Sequence, residues 1–379
     1  MALAVWFATT WFVASGSPGD EAGVGMQWDE LGPEGVPTGR VVAASDRFTR
    51  GSPDWSRAVF ETPATELGYV ARHTAAELRE QVAAGAPLAS AGMFARFGVT
   101  MDDVLATLDL IDRTAAEDRG ELHQRLLDPE WVAAHFDWYR WSSDTEAAAA
   151  RKVTLEPGEL RLTKYLVYQS AGSPERTGPF DTALWALPDA EAAGGPPTDR
   201  MAFTRQDVYG GVYEAGGAAE GRARPLVWLS RVDANRALLQ GSVEVLRGEH
   251  RQMYNVHENN GIPYDPAVKD GNLQRRFWYF RPVVGTLGVE QIPLRPHAAV
   301  AGDIWNLGLG KLVALEWDGP LGPEVHLVVL ADTGGAFQPN LFQLDWLAGT
   351  FASHEAFAAW EATMPSRVRA GILIRKREG

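Results

Sequence analysis

The stretch from Glu324 to Gly349, EVHLVVLADTGGAFQPNLFQLDWLAG, constrains this chain more than any other part of it. It opens with an apolar run, Val325 to Leu330, rich in β-branched residues and short enough to predict a buried strand. The run ends in Asp332-Thr333-Gly334-Gly335. Glycine there admits backbone angles that other residues resist and lets a ligand approach the main chain closely. Thirteen residues beyond Asp332, Asp345 stands among Phe342, Leu344, Trp346 and Leu347. A carboxyl with such neighbours is a candidate for a raised pKa, and so for a general acid near neutral pH. The competing reading makes Asp345 a loop residue capping a helix that starts near Ser353.

The rest of the chain is long enough, at 379 residues, for two or three domains and a sizeable core. Hydrophobic residues at 45% and charged residues at 22% describe an ordinary globular protein. The net charge of −14 comes with no basic cluster beyond Arg375, Lys376 and Arg377, which argues against nucleic acid as a partner. Fourteen tryptophans suit either sugar stacking or core packing. With no cysteine, disulfides, thiol nucleophiles and thiolate metal sites are excluded. His250, His257 and Glu258 lack a zinc-ligand spacing, so neither a metal nor a cofactor is expected. Residues 1–16, MALAVWFATTWFVASG, are apolar and too short to span a bilayer. They are similar to a secretory signal peptide without its basic start.

Residues 17–65 show no sustained period and read as irregular, with a strand over Gly39 to Ala44. Between 74 and 140 the spacing predicts a helical layer. A capping box at Thr74–Glu77 is followed by Leu78 and Val82, and Val104, Leu105, Leu108 and Ile111 share one face. Leu122, Leu126, Leu127, Trp131 and Val132 continue that layer over Glu117 to Phe136. After Pro157-Gly158 the pattern turns to strand, beginning with ELRLTKYLVYQ over Glu159 to Gln169.

The Asp-Thr-Gly run is similar to that of aspartic proteases. Their chemistry needs two aspartates sharing one proton, and this chain has no second Asp-Thr/Ser-Gly. A fuller resemblance is to the lytic murein transglycosylase A (MltA) family, whose C-terminal 3D domain is named for three aspartates. Asp332-Thr333-Gly334-Gly335-Ala336-Phe337 resembles the family's Asp-x-Gly-Gly-Ala-Ile, and Asp345-Trp346-Leu347-Ala348-Gly349 its Asp-Ile-Tyr-x-Gly. Asp303 precedes Ile304-Trp305-Asn306-Leu307-Gly308, similar to the segment after the first family aspartate. Further matches run in order. They are Thr163-Lys164-Tyr165-Leu166, Thr204-Arg205, Trp228-Leu229 with Asp233 and Gln240-Gly241-Ser242, and Asn260-Gly261-Ile262-Pro263-Tyr264. The family pattern has glycine where this chain has Lys164 and Val243, and Lys-Gly where it has Gln338-Pro339.

The resemblance implies a mainly β fold with an N-terminal helical layer. A double-psi β-barrel would take residues 17–158 and 275–379, a second β-barrel would be inserted at 159–274, and a groove would lie between them. It implies cleavage of the β-1,4 bond between N-acetylmuramic acid and N-acetylglucosamine in peptidoglycan, without water, leaving 1,6-anhydro ends. Asp345, Asp332 and Asp303 would be the catalytic set, with Asp345 the acid and then the base, and Asp303 fixing a barrel turn. Tyr165, Gln240, Gly241, Ser242, Asn260, Gly334, Gly335, Ala336 and Trp346 would bind the glycan. It further implies export to the periplasm or cell envelope and association with other cell-wall enzymes. No cysteine-linked lipid anchor is expected. Two other readings stay open: a non-catalytic glycan-binding or scaffold protein on the same fold, and a hydrolase of another polysaccharide.

Overall fold

The computed structural model describes residues 47–377 except 87–89, 193, 196–198, 264, 266, 269, 335–336 and 338–339. The strand expected at 39–44 and the signal-like residues 1–16 lie outside the described residues, as do Gly335 and Ala336.

In chain order the strands are β1 (Phe48–Gly51), β2 (Val59–Phe60), β3 (Phe136–Trp141), β4 (Glu159–Ala171), β5 (Thr182–Trp185), β6 (Pro225–Leu229), β7 (Ser242–Arg247) and β8 (His250–Asn259). They continue as β9 (Trp278–Val283), β10 (Thr286–Leu287), β11 (Pro293–Leu294), β12 (Ala299–Ala301), β13 (Leu312–Gly319), β14 (Gly322–Asp332), β15 (Gln343–Phe351) and β16 (Arg367–Arg375). Six of them close on themselves in the order β16-β13-β14-β12-β15-β4, with β4 returning to β16. Two pairs in this ring are parallel, β12 with β14 and β15 with β4. It is the double-psi barrel of the expected fold.

A second ring shares β4. Its C-terminal residues Tyr168–Ala171 pair with β7, and β7, β8 and β9 follow in order. The β5–β6 pair joins β9 through a bridge between Ala186 and Phe280, and returns to the end of β4 through a bridge between Ser173 and Trp228. Buried apolar side chains divide accordingly. One cluster draws on residues between Phe48 and Tyr165 and between Val289 and Ile374, the other on Ala183 to Phe280.

The helical layer departs from its expected bounds. The first helix, α1 (Ala64–Ala84), starts ten residues before the predicted capping box. Thr74 is buried mid-helix and its hydroxyl donates to the Val70 carbonyl at 2.8 Å, a satisfaction that a sequence pattern cannot separate from a cap. The second helix, α2 (Met101–Glu117), does begin at a capping box, between Thr100 and Asp103. Past Glu117 the expected helix is broken into a turn, the short helix Pro129–His135 and strand β3. Leu122, expected on the apolar face, is fully exposed in that break.

Packing outside the double-psi barrel is tight where β16 meets β3. A Cβ at Gly371 would lie 2.1–2.4 Å from three ring atoms of Trp138, which is itself buried. Gly371→Ala is therefore expected to cost about 1–3 kcal/mol through overpacking. Leu122→Ser should change stability by less than about 0.5 kcal/mol. Thermal denaturation of the two variants beside the parent checks both, and an unshifted Gly371→Ala melt would refute this packing.

Candidate functional site

The site is built on one row of the sheet. Asp332 on β14 pairs with Ala301 on β12, Ala301 with Asp345 on β15, and Asp345 with Thr163 on β4. Directly paired residues present side chains on the same face, so both aspartates point to one side of the barrel wall. Their backbones lie two strand spacings apart, roughly 10 Å. Asp345 is thus a strand residue. The helix starting at His354 is capped by Ser353, whose hydroxyl accepts from the Ala356 N–H at 3.1 Å, so the capping role considered for Asp345 does not hold.

Asp332 is held by three donors. The N–H groups of Thr333 (2.9 Å) and Val289 (3.1 Å) donate to its Oδ1, and the Tyr165 hydroxyl donates to its Oδ2 at 3.2 Å. The Val289 N–H is presented by a strained turn, since Glu290 and Gln291 both have positive φ, 50° and 66°. For non-glycine residues such angles cost roughly 1–2 kcal/mol each. Burial pushes the Asp332 carboxyl up to about 7, with the three donors acting the other way.

Asp345 is more isolated. It is 1% exposed, and neither carboxyl oxygen has a hydrogen-bond partner among the described residues. The nearby Thr163 hydroxyl directs its proton to the Leu344 carbonyl at 3.2 Å and receives Gln343 Nε2 at 3.0 Å. Burial raises the Asp345 pKa well above the usual carboxylate range, and the neighbouring Asp332 charge raises it further. The Thr163 hydroxyl and the Lys164 and Arg161 charges oppose that shift. A carboxyl so deeply buried holds its proton, because the ionised form would lack water and would have only the Thr163 hydroxyl and two more distant charges to support it.

Beside this row is a narrow cavity of about 20 Å³ at the junction of the two rings. Tyr165, Leu166 and Val167 of β4 line it with Asp332 on one side, and Leu238, Gln240, Gly241, Ser242, Asn255, Val256 and Trp278 on the other. Thr286 and Leu287 complete it. Gln240 ends the helix Arg231–Gln240, and Gly241 stops that helix in the left-handed region at φ 75°. That stop turns the chain into β7 and sets Ser242 opposite Asn255, to which its hydroxyl is hydrogen-bonded. Asp345 does not line the cavity; it lies in the same row as Asp332, sealed behind it.

Three expected site residues are placed elsewhere. Strand alternation turns Trp346 to the face opposite Asp345. There it is buried against His297 (5.2 Å), His326 (5.3 Å) and Trp317 (6.0 Å), so it packs the barrel rather than meeting the cavity. Asn260 is fully buried as a loop staple. Its amide donates to the Phe203 and Arg275 carbonyls at 2.7 and 3.0 Å, and its oxygen accepts from the Phe277 N–H at 3.0 Å. Asp303 accepts from the N–H groups of Asn306 (3.0 Å) and Asn340 (2.8 Å), the turn-fixing role expected of it. Gly334 is buried two residues after the end of β14. Sequence reasoning missed Asn255 and Trp278 as cavity residues. Alternation in HRQMYNVHEN carried a signal for Asn255, because Tyr254 and Val256 are core and the residue between them must face the other way.

The electrostatics of Asp332 predict a pH-dependent stability. Its folded pKa of about 7 exceeds the free value of 3.8, so its contribution is full below about pH 4 and lost as pH climbs through 7. Asparagine keeps an acceptor for the two N–H groups and carries no charge. Asp332→Asn should therefore be more stable than the parent at pH 8, by up to roughly 4 kcal/mol at 1.36 kcal/mol per pKa unit, with the gap closing at pH 4. Chemical denaturation at pH 4, 6 and 8 measures it; a gap independent of pH would show that burial does not oppose the charge.

No family model and no curated protein sequence matches the chain. Solved structures do. MltA from Neisseria gonorrhoeae is 15% identical over 88% of this chain and 92% of its own, with a TM-score of 0.58. Escherichia coli MltA with bound chitohexaose is 14% identical over 88% and 96%, with a TM-score of 0.54. A membrane-bound lytic murein transglycosylase from Agrobacterium tumefaciens is 14% identical over 87% and 97%, with a TM-score of 0.53. The chain therefore has the MltA fold, two barrels of which one is double-psi.

Proposed function

We propose that this protein is a lytic transglycosylase acting on peptidoglycan glycan strands, with Asp345 as its acid and then its base. The observation that carries the reading is the state of Asp345: a carboxyl with no hydrogen-bond partner among the described residues, buried in a row with Asp332, which lines the cavity at the junction of two barrels. Ordinary glycoside hydrolysis uses two carboxyls, one to protonate the leaving oxygen and one to attack or to activate water. Here the second carboxyl, Asp332, is committed to three donors and is poorly placed to be a nucleophile. A single acid suffices if the sugar supplies its own nucleophile. Asp345 gives its proton to the glycosidic oxygen as the C1–O4 bond breaks. The muramic acid C6 oxygen then bonds to C1, and the C6 hydroxyl proton returns to Asp345. Atoms balance without water.

Support for the glycan as ligand comes from the similar E. coli protein, which carries chitohexaose, and from Gln240, Ser242 and Tyr165 gathered at one cavity. The cavity as it stands has room for little more than one oxygen-sized group, so catalysis requires it to widen between Tyr165 and Gln240. The same observation favours the second reading, a glycan binder whose acid stays sealed. Export to the cell envelope belongs to the proposal; among the described residues no helix is long and apolar enough to cross a membrane.

Asp345→Asn removes the proton and keeps the shape. Release of anhydromuropeptides from purified sacculi should fall roughly a hundred- to ten-thousand-fold while glycan binding persists. Full activity in that variant would defeat the assignment, and an inactive parent that binds glycan would favour the binder.

The parent's rate should fall on the alkaline side, as Asp345 loses its proton. Because the Asp332 charge raises the Asp345 pKa, Asp332→Asn should move that alkaline limb to lower pH. A pH–rate profile of both proteins measures the shift; an unmoved limb would separate the two carboxyls.

A further inference from the structure

The second barrel carries a cation, Arg281, that pairs with no acidic side chain among the described residues. Ser242 on β7 pairs with Asn255 on β8, and Asn255 pairs with Arg281 on β9, so the three form one row on one face. Ser242 and Asn255 line the cavity, which sets Arg281 one strand spacing, roughly 5 Å, beyond its wall. Arg281 is half-buried, and its Nε is enclosed without a hydrogen-bond partner. Burial lowers its pKa, and no acidic side chain acts to raise it.

Neighbouring arginines are accounted for. Arg200 is paired with Glu191 and the Asn259 carbonyl. Arg276 also has an enclosed Nε without a hydrogen-bond partner, but it lies 4.8 Å over the Trp278 ring and the Glu258 carboxylate acts on it, a compensation Arg281 lacks. Arg251 reaches Glu244 at 3.6 Å. Arg247 also has an unpaired Nε, but it sits five residues along β7 from Ser242, on the opposite face. Arg281 thus keeps its charge without an acidic partner among the described residues, one strand spacing from the cavity wall, in a chain whose net charge is −14. Its field is felt by His257, whose pKa is held down to about 4 by burial, Arg281 and Arg200. The neutral imidazole adds no second cation there.

We infer that Arg281 receives a carboxylate carried by the glycan, the free carboxylate of a peptide stem, so that peptide-bearing strands are preferred over stripped ones. The inference rests on the peptidoglycan reading above. A guanidinium presents a planar fork that fits a carboxylate by two parallel hydrogen bonds, and partial burial strengthens that pair relative to open water. Neutral N-acetyl and hydroxyl groups of the glycan give the fork nothing of the kind, so the discrimination is by charge.

The test measures binding of two ligands by calorimetry: glycan strands carrying their peptides, and the same strands stripped by an amidase, with the lactyl carboxylate that stripping leaves on each muramic acid blocked as a neutral amide. The parent should bind the peptide-bearing strands about tenfold more tightly, as expected for one hydrogen-bonded charge at a half-buried site. Arg281→Gln should remove that preference and leave the affinity for stripped strands unchanged. Arg281→Lys should restore part of it, and added salt should weaken it. Equal affinity of the parent for both ligands overturns the inference. So does a preference that survives in Arg281→Gln, or a variant that loses both ligands alike, which would mark Arg281 as structural. Failure of the parent to bind either ligand sinks the peptidoglycan reading together with the inference, whereas binding of both without preference sinks the inference alone.

Discussion

The arrangement depends on one strand serving two barrels. β4 runs 13 residues, longer than either ring needs. Its first part is laddered to β15 and β16, its last four residues to β7. Its burial alternates along most of its length, with Leu160 and Leu162 buried on one face and Tyr165 and Val167 on the other. Register along β4 then fixes everything near the cavity. Thr163 lies against Asp345, and Tyr165, two residues on, faces the same way and reaches Asp332. A slip of one residue would turn Tyr165 out of the cavity and Lys164 into it. Lys164 is instead directed to the far face, where its ammonium is hydrogen-bonded to the Pro365 carbonyl. That is why a lysine at the position of the family's glycine does not fill the cavity.

The two aspartates have similar burial and unequal support, and the inequality separates their roles. Asp332 has two backbone N–H groups and a tyrosine hydroxyl, one of them delivered by a turn held at two unfavourable backbone conformations. Such strain persists only where surrounding structure over-determines it. Asp345 has no donor among the described residues. As pH rises, ionisation therefore falls first on the supported carboxyl, and its charge then holds the proton on the other. An acid kept neutral by its neighbour's charge is a division of labour that needs two carboxyls and only one proton donor.

Much of this was legible in the sequence, for identifiable reasons. The apolar run at 325–330 had the length and branching of a buried strand, and β14 contains it. Asp345 stood out because its neighbours were apolar, and the sealed carboxyl has that origin. What failed was direction. Trp346 shares the matched Asp-Trp-Leu-Ala-Gly segment with Asp345, yet adjacency in a strand means opposite faces. Asn260 is a sugar contact only by the resemblance of its Asn-Gly-Ile-Pro-Tyr segment, and a carboxamide equally suits a loop that needs two carbonyls satisfied. Thr74 looked like a cap for the same reason: a hydroxyl that closes a helix end can also bond back to the preceding turn. In each case the chemistry of the group was read correctly and its partner was not, because partners are set by tertiary pairing.

The cavity carries a tension that the fold resolves through its joint. A proton is retained on Asp345 at neutral pH only where water is excluded. The barrel wall excludes it, leaving the carboxyl 1% exposed. Yet a proton donor must come within hydrogen-bond reach of the oxygen it protonates. The cavity beside the row is lined by Tyr165 and Asp332 from the first barrel and by Gln240 to Ser242, among others, from the second. Of these, Gly241 is the stop of a helix and the start of β7, so its left-handed turn sets how closely the second barrel's wall approaches the first. Across that gap the apolar side chains divide into two clusters rather than one continuous core. Separating two finished cores exposes less apolar surface than splitting one, so widening at this joint costs less than opening the barrel wall elsewhere. The carboxyl is dry because the wall closes over it, and the proposed function requires that it be reached where the wall closes at the seam.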